Sequence, residues 1–525
     1  YKHYVFENPL TPVEYDSNGV VISMNSYVHP DSADLAPADW SFQDSGMKMQ
    51  HLKRQTSYYV AKLDLTSQLS NSHQTQAGIE LRLYDLNLEE FNIRSLDETQ
   101  EFQPMIPERS SINNNMFQNK PVEFSAYVQD KMEYQDMVVN LGIRFDYFDP
   151  DGRVYADPLD PNIYSPYSAD HRYKNAGADS DELIEYTLAE KEAFWWKKAS
   201  KKYSISPRFG IAYPITDRGI IHFSYGHFFQ IPSFRELYGG EGLNADIQVG
   251  QTQGNTAFLP NADLDPQKTV MYEIGLQQQL STDIHMDATL FYRDIRDWVG
   301  SSVVQPTYIK SIFYTKFINK DYSNVRGITL SMNKRYSSFF EGSLDYTYMI
   351  AEGTASNPQD EYNDRLSDRA PRIQIIPLGW DQRHTLNGHI SFGAPTWRLS
   401  LLGRFWTGSP YTPSFAVGEV SGSSAFSGLR ENSARKPNIF TFDLRLFKQF
   451  NFAGLQYSIF INVYNLLDSR GQTNVYTDTG SADYTLSIRN ASDNPKRVGL
   501  LSDNAIQTAW YIEPRQIHAG ISVGF

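Results

Sequence analysis

Apolar and polar residues alternate one by one over long stretches of this chain. At its C-terminal end every second residue is apolar or aromatic, namely Ile517, Ala519, Ile521, Val523 and Phe525, and His518, Gly520, Ser522 and Gly524 lie between them. Successive side chains of a β-strand point to opposite faces, so each such segment predicts a strand with one apolar and one polar face.

The same alternation predicts fifteen strands. They cover residues 58–70, 73–86, 121–134, 137–148, 203–215, 219–231, 268–281, 284–297, 325–336, 339–351, 382–393, 397–407, 438–450, 454–467 and 515–525. Alternating segments of about ten residues or more, with aromatic residues near both ends, are typical of a transmembrane β-barrel. The composition agrees, because only 40% of the residues are hydrophobic while 14% are aromatic. No stretch has the roughly 18 consecutive apolar residues of a membrane-spanning helix.

Short and long connections alternate along the chain. Two or three residues join the strands of each pair, whereas long polar stretches such as 149–202 and 352–381 separate the pairs. Outer-membrane barrels have short periplasmic turns and long extracellular loops. The sequence therefore predicts an all-β, antiparallel transmembrane barrel in residues 58–525, located in the cell outer membrane.

The first predicted strand leads into a short turn, so its beginning should lie outside the cell. Residues 1–57 are then expected to be an extracellular loop segment that follows an upstream strand absent from this sequence. The fifteen strands alone should form an open, curved sheet, because an uneven number does not close an ordinary bacterial barrel. The alternative is a sixteenth strand within residues 1–57, around Val20 to Val28.

Charge and motifs exclude several functions. The net charge of −14 disfavours nucleic-acid binding, which depends on neutralising phosphates. His384 and His389 are five residues apart and would face opposite ways in a strand, so they are not expected to chelate a metal together. Asp149, Asp151, Asp157 and Asp160 offer oxygen ligands for Ca²⁺, but Pro150-Asp151-Gly152 is more simply a turn. We expect no enzyme activity, catalytic residue, cofactor or metal.

The polar face of the predicted strands carries many charged residues, namely Arg144, Asp146, Arg208, Asp287, Arg293, Asp345, Arg404, Asp443 and Arg445. One interpretation is structural: these side chains form ladders across the strands, and the arginines contact a plug in the lumen. The other is that they bind the transported substrate. We prefer the structural interpretation.

The long loops are the better place for ligand recognition. Loop 149–202 contains Trp195 and Trp196 followed by Lys197 and Lys198, and such a cluster can stack on a ring-shaped or planar ligand and attract anions. The alternative is that the aromatic residues pack the loops together or lie in the interfacial belt. The acidic part of loop 352–381 is interpreted as a solvated surface.

Several motifs resemble those of TonB-dependent outer-membrane receptors. They include Leu264-Asp265-Pro266-Gln267 followed by Tyr272-Glu273-Ile274-Gly275, Phe223-Ser224-Tyr225-Gly226, Ser206-Pro207-Arg208-Phe209-Gly210 and Val463-Tyr464-Asn465-Leu466-Leu467-Asp468. Their order and spacing extend the resemblance over residues 58–525. One departure is Thr329, where many relatives carry Glu.

The resemblance implies a barrel of about 22 strands whose lumen holds an N-terminal plug. About fifteen strands would be its C-terminal part, and the plug and the segment that contacts the TonB complex would lie upstream of Tyr1. The implied function is active import of a scarce solute (a siderophore, cobalamin, glycan or peptide). The implied partners are outer-membrane lipid, the TonB complex, and assembly machinery that recognises the C-terminal Phe525. Alternatives are a passive porin, an outer-membrane adhesin and an enzyme.

Overall fold

The computed structural model describes residues 14–15, 21–23, 49–95, 104–108, 114–177, 183–239, 257–355, 374–414, 431–486 and 507–524. Fifteen long strands dominate it. In chain order these are β1 Gln50–Ser70, β2 His73–Asn92, β3 Val122–Tyr134, β4 Met137–Asp149, β5 Lys202–Thr216, β6 Gly219–Gln230, β7 Gln267–Gln279, β8 Ile284–Ser301, β9 Phe313–Ser337, β10 Phe340–Gly353, β11 His384–Ala394, β12 Trp397–Trp406, β13 Ile439–Phe452, β14 Leu455–Tyr464 and β15 Gln516–Gly524. Each strand predicted from the alternation is therefore confirmed.

The remaining elements are short and belong mostly to the long connections. The helices are α1 Ala169–Arg172, α2 Leu188–Trp195 and α3 Phe234–Tyr238, with a 3₁₀ turn at Thr508–Trp510. The short strands are Glu14–Tyr15, Val21–Ser23, Arg94–Ser95, Pro104–Met105, Asn114–Asn119, Arg153–Tyr155, Trp196–Lys198, Ala257–Leu259, Gln305–Pro306, Ile376–Pro377, Pro410–Tyr411 and Ala434–Arg435. Within the described ranges, no helix has the length and apolar character needed to cross a bilayer.

Three strand boundaries differ clearly from the prediction. β1 begins at Gln50 rather than at residue 58, β2 ends at Asn92 rather than at residue 86, and β9 begins at Phe313 rather than at residue 325. Val21–Ser23, in the segment proposed as a sixteenth strand, pairs only with Glu14–Tyr15 among the described residues.

Each long strand pairs in antiparallel fashion with the next one along the chain, from β1 to β15. The strand order is that of a closed barrel, in which β15 is followed by β1 and the short parallel strand Ala257–Leu259 also takes part. This order differs from the open, curved sheet expected from an uneven number of strands, although no paired register is seen between β15 and β1 among the described residues.

The registers also assign every long strand an apolar and a polar face. On the apolar face, Leu444 lies opposite Val463, and Ile459 lies opposite Ile521. On the polar face, Arg445 lies opposite Asn462. Large apolar side chains such as Leu141, Ile143 and Leu290 are exposed on the first face, a pattern that suits contact with lipid. We call the apolar face outward and the polar face inward.

Candidate functional site

The five arginines predicted to face the lumen lie on the inward face. Residues that lie directly opposite each other in paired strands share a face, and the registers from β4 to β14 place all five arginines on the same face. The arginines are Arg144 on β4, Arg208 on β5, Arg293 on β8, Arg404 on β12 and Arg445 on β13. Their contacts with a plug remain a prediction.

Many inward charges are neutralised within their own strand. Residues two positions apart share a face, and three such pairs form ion pairs: Lys62 with Asp64 at 3.1 Å, Arg82 with Glu80 at 2.6 Å, and Arg144 with Asp146 at 2.8 Å. Other inward carboxylates accept hydrogen bonds, such as Asp345 from the Ser331 hydroxyl at 2.6 Å. The inward wall is therefore polar, and much of its charge is internally balanced.

Inward glycines accommodate aromatic rings from the neighbouring strand. Tyr127 lies opposite Gly78, His222 opposite Gly275, Phe291 opposite Gly327 and Phe460 opposite Gly520. A Cβ atom added at any of these glycines would come within 3.0 Å of the facing ring. The glycines thus let the rings lie close against the wall.

Three long connections pack into one folded unit at the extracellular end of the sheet. We call their described residues, 150–201, 231–239, 257–266 and 302–312, the loop platform. Its apolar core consists of Phe148, Leu237, Phe258, Leu264, Val299 and Phe317, all at most 3% exposed. Because connections and strand ends share this core, the platform is fixed to the top of β4, β8 and β9.

Buried polar contacts join the same connections. The carboxylate of Asp160 is fully buried and accepts hydrogen bonds from the amides of Tyr167 and Ser168 at 2.9 and 3.0 Å; one of its oxygens also lies 2.9 Å from Nδ1 of His171. The Tyr314 hydroxyl donates to the carbonyl of Pro158 at 2.8 Å. Asp160 therefore holds the surrounding loop in place through these hydrogen bonds. Within the described residues, no group of three His, Asp or Glu side chains suits a metal ion.

Lys202 connects β5 to the platform. Its ammonium lies 3.0 Å from carboxylate oxygens of both Asp263 and Asp265. Burial alone would raise the pKa of the Asp263 carboxyl, but hydrogen bonds from the hydroxyl and amide of Ser200 and from Lys202 outweigh it, so the pKa is lowered. Asp263 is therefore ionised at neutral pH and holds the platform to the strand.

Three of the predicted ligand residues, Trp196, Lys197 and Lys198, form one strand of a two-stranded hairpin of the platform, and Arg153–Tyr155 forms the other. The fourth, Trp195, is the last residue of α2. Trp195 is only 4% exposed, and its ring lies 5.5 Å from that of His171. Trp196 stacks on Tyr155 at 5.1 Å. Lys197 and Lys198 are exposed. Trp195 is thus packed inside the platform, whereas Lys197 and Lys198, a few residues later, are exposed.

The structure also bears on the two histidines, the acidic loop and the C-terminal residue considered from the sequence. His384 and His389 lie on opposite faces, as the alternation predicted, and Nδ1 of His384 is 2.8 Å from the Tyr346 hydroxyl. The acidic residues named for the middle of loop 352–381, which are Asp360, Glu361, Asp364 and Asp368, lie outside the described residues, and so does Phe525. No pattern in the sequence marks the platform core or the glycine–ring pairs, since both depend on contacts between segments distant in the chain.

Solved structures share this fold. The outer-membrane transporter YddB from Escherichia coli superimposes with a TM-score of 0.54 at 13% identity, covering 82% of this chain and 53% of that one. FpvA of P. aeruginosa, solved with heterologous pyoverdines, gives 0.52 at 13%, covering 93% and 51%. The FrpB iron transporter from Neisseria meningitidis gives 0.50 at 12%, covering 80% and 51%. The chain thus spans about half the length of these structures.

Comparison with curated protein sequences found no match. The family model described as TonB dependent receptor-like, beta-barrel, matches residues 12–466. This match covers most of the chain and agrees with the two-faced sheet. The chain therefore belongs to the TonB-dependent receptor-like β-barrel family and is an outer-membrane β-barrel protein.

Proposed function

We propose that this protein is an outer-membrane active transporter that binds a scarce solute at its extracellular face and imports it with energy from the TonB complex. Membership of the receptor family is the observation that carries the proposal. The polar inward wall and the folded loop platform support it, because a transporter needs a hydrated passage and an outer binding surface. Siderophores, cobalamin, glycans and peptides are the candidate solutes, and outer-membrane lipid and the assembly machinery are the further partners.

The basic end of the platform hairpin is the proposed site of first contact with the solute. The ring of Trp196 stacks on Tyr155, and the guanidinium of Arg153 lies 4.2 Å from the centre of the Trp196 ring. Lys197 and Lys198 extend from the same strand into solvent. A positioned indole beside two ammonium groups suits a planar or ring-shaped anionic solute. Trp195 has the supporting role of anchoring the hairpin to the platform.

Uptake measurements test the transport proposal. Cells that produce the protein, with and without a functional TonB complex, are given radiolabelled candidate solutes at low concentration. We expect saturable uptake of one of them, which is lost without TonB. Uptake that is independent of TonB and proportional to concentration would instead identify a passive channel.

A double substitution tests the hairpin. We expect Lys197→Gln with Lys198→Gln to weaken binding of the transported solute at least tenfold, because two charge-assisted contacts are lost. The matched control is Lys310→Gln, an exposed lysine of the same platform. Equal binding by the double variant and the control would place first contact elsewhere.

A further inference from the structure

The outward face of β6, β7 and β8 changes character toward its extracellular end. Large apolar side chains, such as Ile274 opposite Leu290, are exposed on its lower part. Two residues nearer the outside, Tyr225 lies opposite Tyr272, which lies opposite Tyr292, and the rings are 5.1 and 6.3 Å apart. Tyrosines are enriched where the hydrocarbon of a bilayer meets its headgroups. This tyrosine row therefore marks the outer boundary of the hydrocarbon layer.

Three cations of the outward face lie at or above the tyrosine row. Arg326 on β9 lies opposite Tyr292, at the end of the row, and Lys268 lies opposite Arg296 four residues nearer the extracellular end. Four strand residues span about 13 Å. The side chains of Arg326, Lys268 and Arg296 are 44%, 59% and 69% exposed. They therefore present positive charge at the depth of the lipid headgroups.

The two guanidinium groups converge on one cross-strand pair. Arg296 donates from Nε and Nη2 to one carboxylate oxygen of Asp294, at 3.2 and 3.0 Å. Arg326 donates from Nη1 to the side-chain oxygen of Asn324. Asp294 lies directly opposite Asn324, and the Cβ atoms of such a pair are about 5 Å apart. One arginine thus reaches this pair from above and the other from below.

Carboxylates position these arginines without covering them. Asp294 is 17% exposed, and Glu352, which accepts a hydrogen bond from Nη2 of Arg326 at 2.9 Å, is 26% exposed. Both carboxylates are thus less exposed than the guanidinium groups that they hold. Among the described partners, each of the two guanidinium groups uses only two of its five N–H donors. The outward face lies on the far side of the sheet from the lumen, so a plug would leave these contacts unchanged.

We infer that Arg296 and Arg326, with Lys268 beside them, bind a phosphate group of a lipid in the outer leaflet of the outer membrane. Guanidinium groups match phosphate geometry, and their donors remain charged at every physiological pH. The apolar part of the same face receives the acyl chains of that lipid, and the tyrosine row lies between chains and phosphate. This lipid site depends on the outer-membrane location of the protein and not on transport.

Lipid titrations test the site. The full-length protein, purified in detergent, is mixed with diphosphorylated lipid A, and the bound lipid is counted by native mass spectrometry. We expect Arg296→Gln with Arg326→Gln to weaken lipid A binding at least tenfold, because each cation near a headgroup contributes about 1 kcal/mol. The control is Arg218→Gln with Lys448→Gln, which removes two exposed cations near the periplasmic turns and should bind as the unmodified protein does.

Lys268→Gln is a milder variant that leaves both arginines and their carboxylates in place. We expect it to weaken lipid A binding about fivefold, which tests the site even if the double arginine variant does not fold. Heat-modifiable migration in gels shows which variants are folded.

Three results would overturn the inference. The first is equal lipid A binding by the folded arginine or lysine variant and the control. The second is undiminished binding of lipid A from which the phosphates have been removed, since the acyl chains would then be sufficient. The third is binding of inorganic phosphate as tight as that of lipid A, which would indicate a site for free anions. TonB-dependent uptake is measured separately, so failure of the lipid site and failure of the proposed function are distinguishable.

Discussion

Among single residues, Asp381 is a buried carboxylate with several partners. Its side chain is fully buried and accepts hydrogen bonds from the amide of Ala351 at 2.9 Å, from Nε of Arg383 at 2.9 Å and from Arg435 at 2.5 Å. It therefore joins the top of β10 to the connections on either side of β11 and β12. A carboxylate in this position is stabilised only because two guanidinium groups compensate for its burial.

We expect Asp381→Asn to lower the free energy of unfolding by about 3–5 kcal/mol, because it leaves two partly buried cations without their counter-charge. Thermal unfolding of the purified protein measures this change. Asp217→Asn is the control, since Asp217 lies exposed in a tight turn. A loss no larger than that of the control would mean that water replaces the carboxylate without cost.

Asp263 predicts a pH dependence for the platform. The pKa of its carboxyl is lowered in the folded protein from the ordinary value of 3.8. A group of this kind contributes stability at pH values above its ordinary pKa and loses it as the pH falls through the lower folded-state pKa. We therefore expect residues 257–265 to become more accessible to hydrogen exchange as the pH falls below about 4. Asp263→Asn should be accessible already at pH 7, and an unchanged exchange pattern in this variant would contradict the prediction.

The face of each arginine could be predicted from the sequence, but its partners could not. Alternation fixes the side of the strand on which Arg208 and Arg144 lie, because it depends only on the backbone. Whether a carboxylate lies two positions away, as Asp146 does for Arg144, is also visible in the sequence. The guanidinium of Arg208 lies 4.9 Å from the centre of the Phe228 ring, and this contact depends on Gly226 and on a particular register, which the sequence does not specify.

At the scale of elements, the prediction worked where strands contact lipid and failed where they extend beyond it. All fifteen strands were found from their alternation. β9, however, continues upward through Lys316, Asn319 and Asp321 to Phe313. This extension packs against the platform rather than against lipid, so it has no reason to keep an apolar face.

Gly327 on β9 tests the pairing of glycines with rings. A Cβ atom there would lie 2.1 Å from the carbonyl oxygen of Tyr348 and 2.8 Å from the Phe291 ring. We expect Gly327→Ala to destabilise the protein by about 1–3 kcal/mol through overpacking, and to reduce the amount of folded protein in the outer membrane. Heat-modifiable migration in gels measures the folded fraction. Gly388→Ala is the control, because only one side-chain atom of Leu344, at 3.5 Å, lies near its added Cβ. Equal folded fractions would show that β9 and β10 adjust freely.

At the scale of the whole molecule, two organising rules coexist. The sheet is a meander in which neighbours in sequence are neighbours in space, so a local pattern is sufficient to predict it. The platform joins distant segments: the hydrogen bond between Tyr314 and Pro158 spans 156 residues, and that between Tyr308 and Asp157 spans 151. No local sequence pattern predicts such contacts. For this reason Trp195 could be interpreted from the sequence as a ligand residue, although it packs inside the platform.

The division into an outward and an inward face can be tested on two adjacent leucines of β12. Leu401 lies on the outward face, opposite Ile390 and Leu444, whereas Leu402 lies on the inward face, opposite His389 and Asp443. We expect Leu401→Arg to reduce folding into lipid vesicles by about 2–4 kcal/mol, because an arginine near the bilayer centre must leave water. Leu402→Arg places the same charge on a hydrated wall beside a carboxylate and should fold nearly as the unmodified protein does. The two variants differ by one position in the same strand, so differences in composition or strand propensity cannot explain the result. If Leu402→Arg failed to fold while Leu401→Arg inserted normally, the outward and inward faces would be reversed.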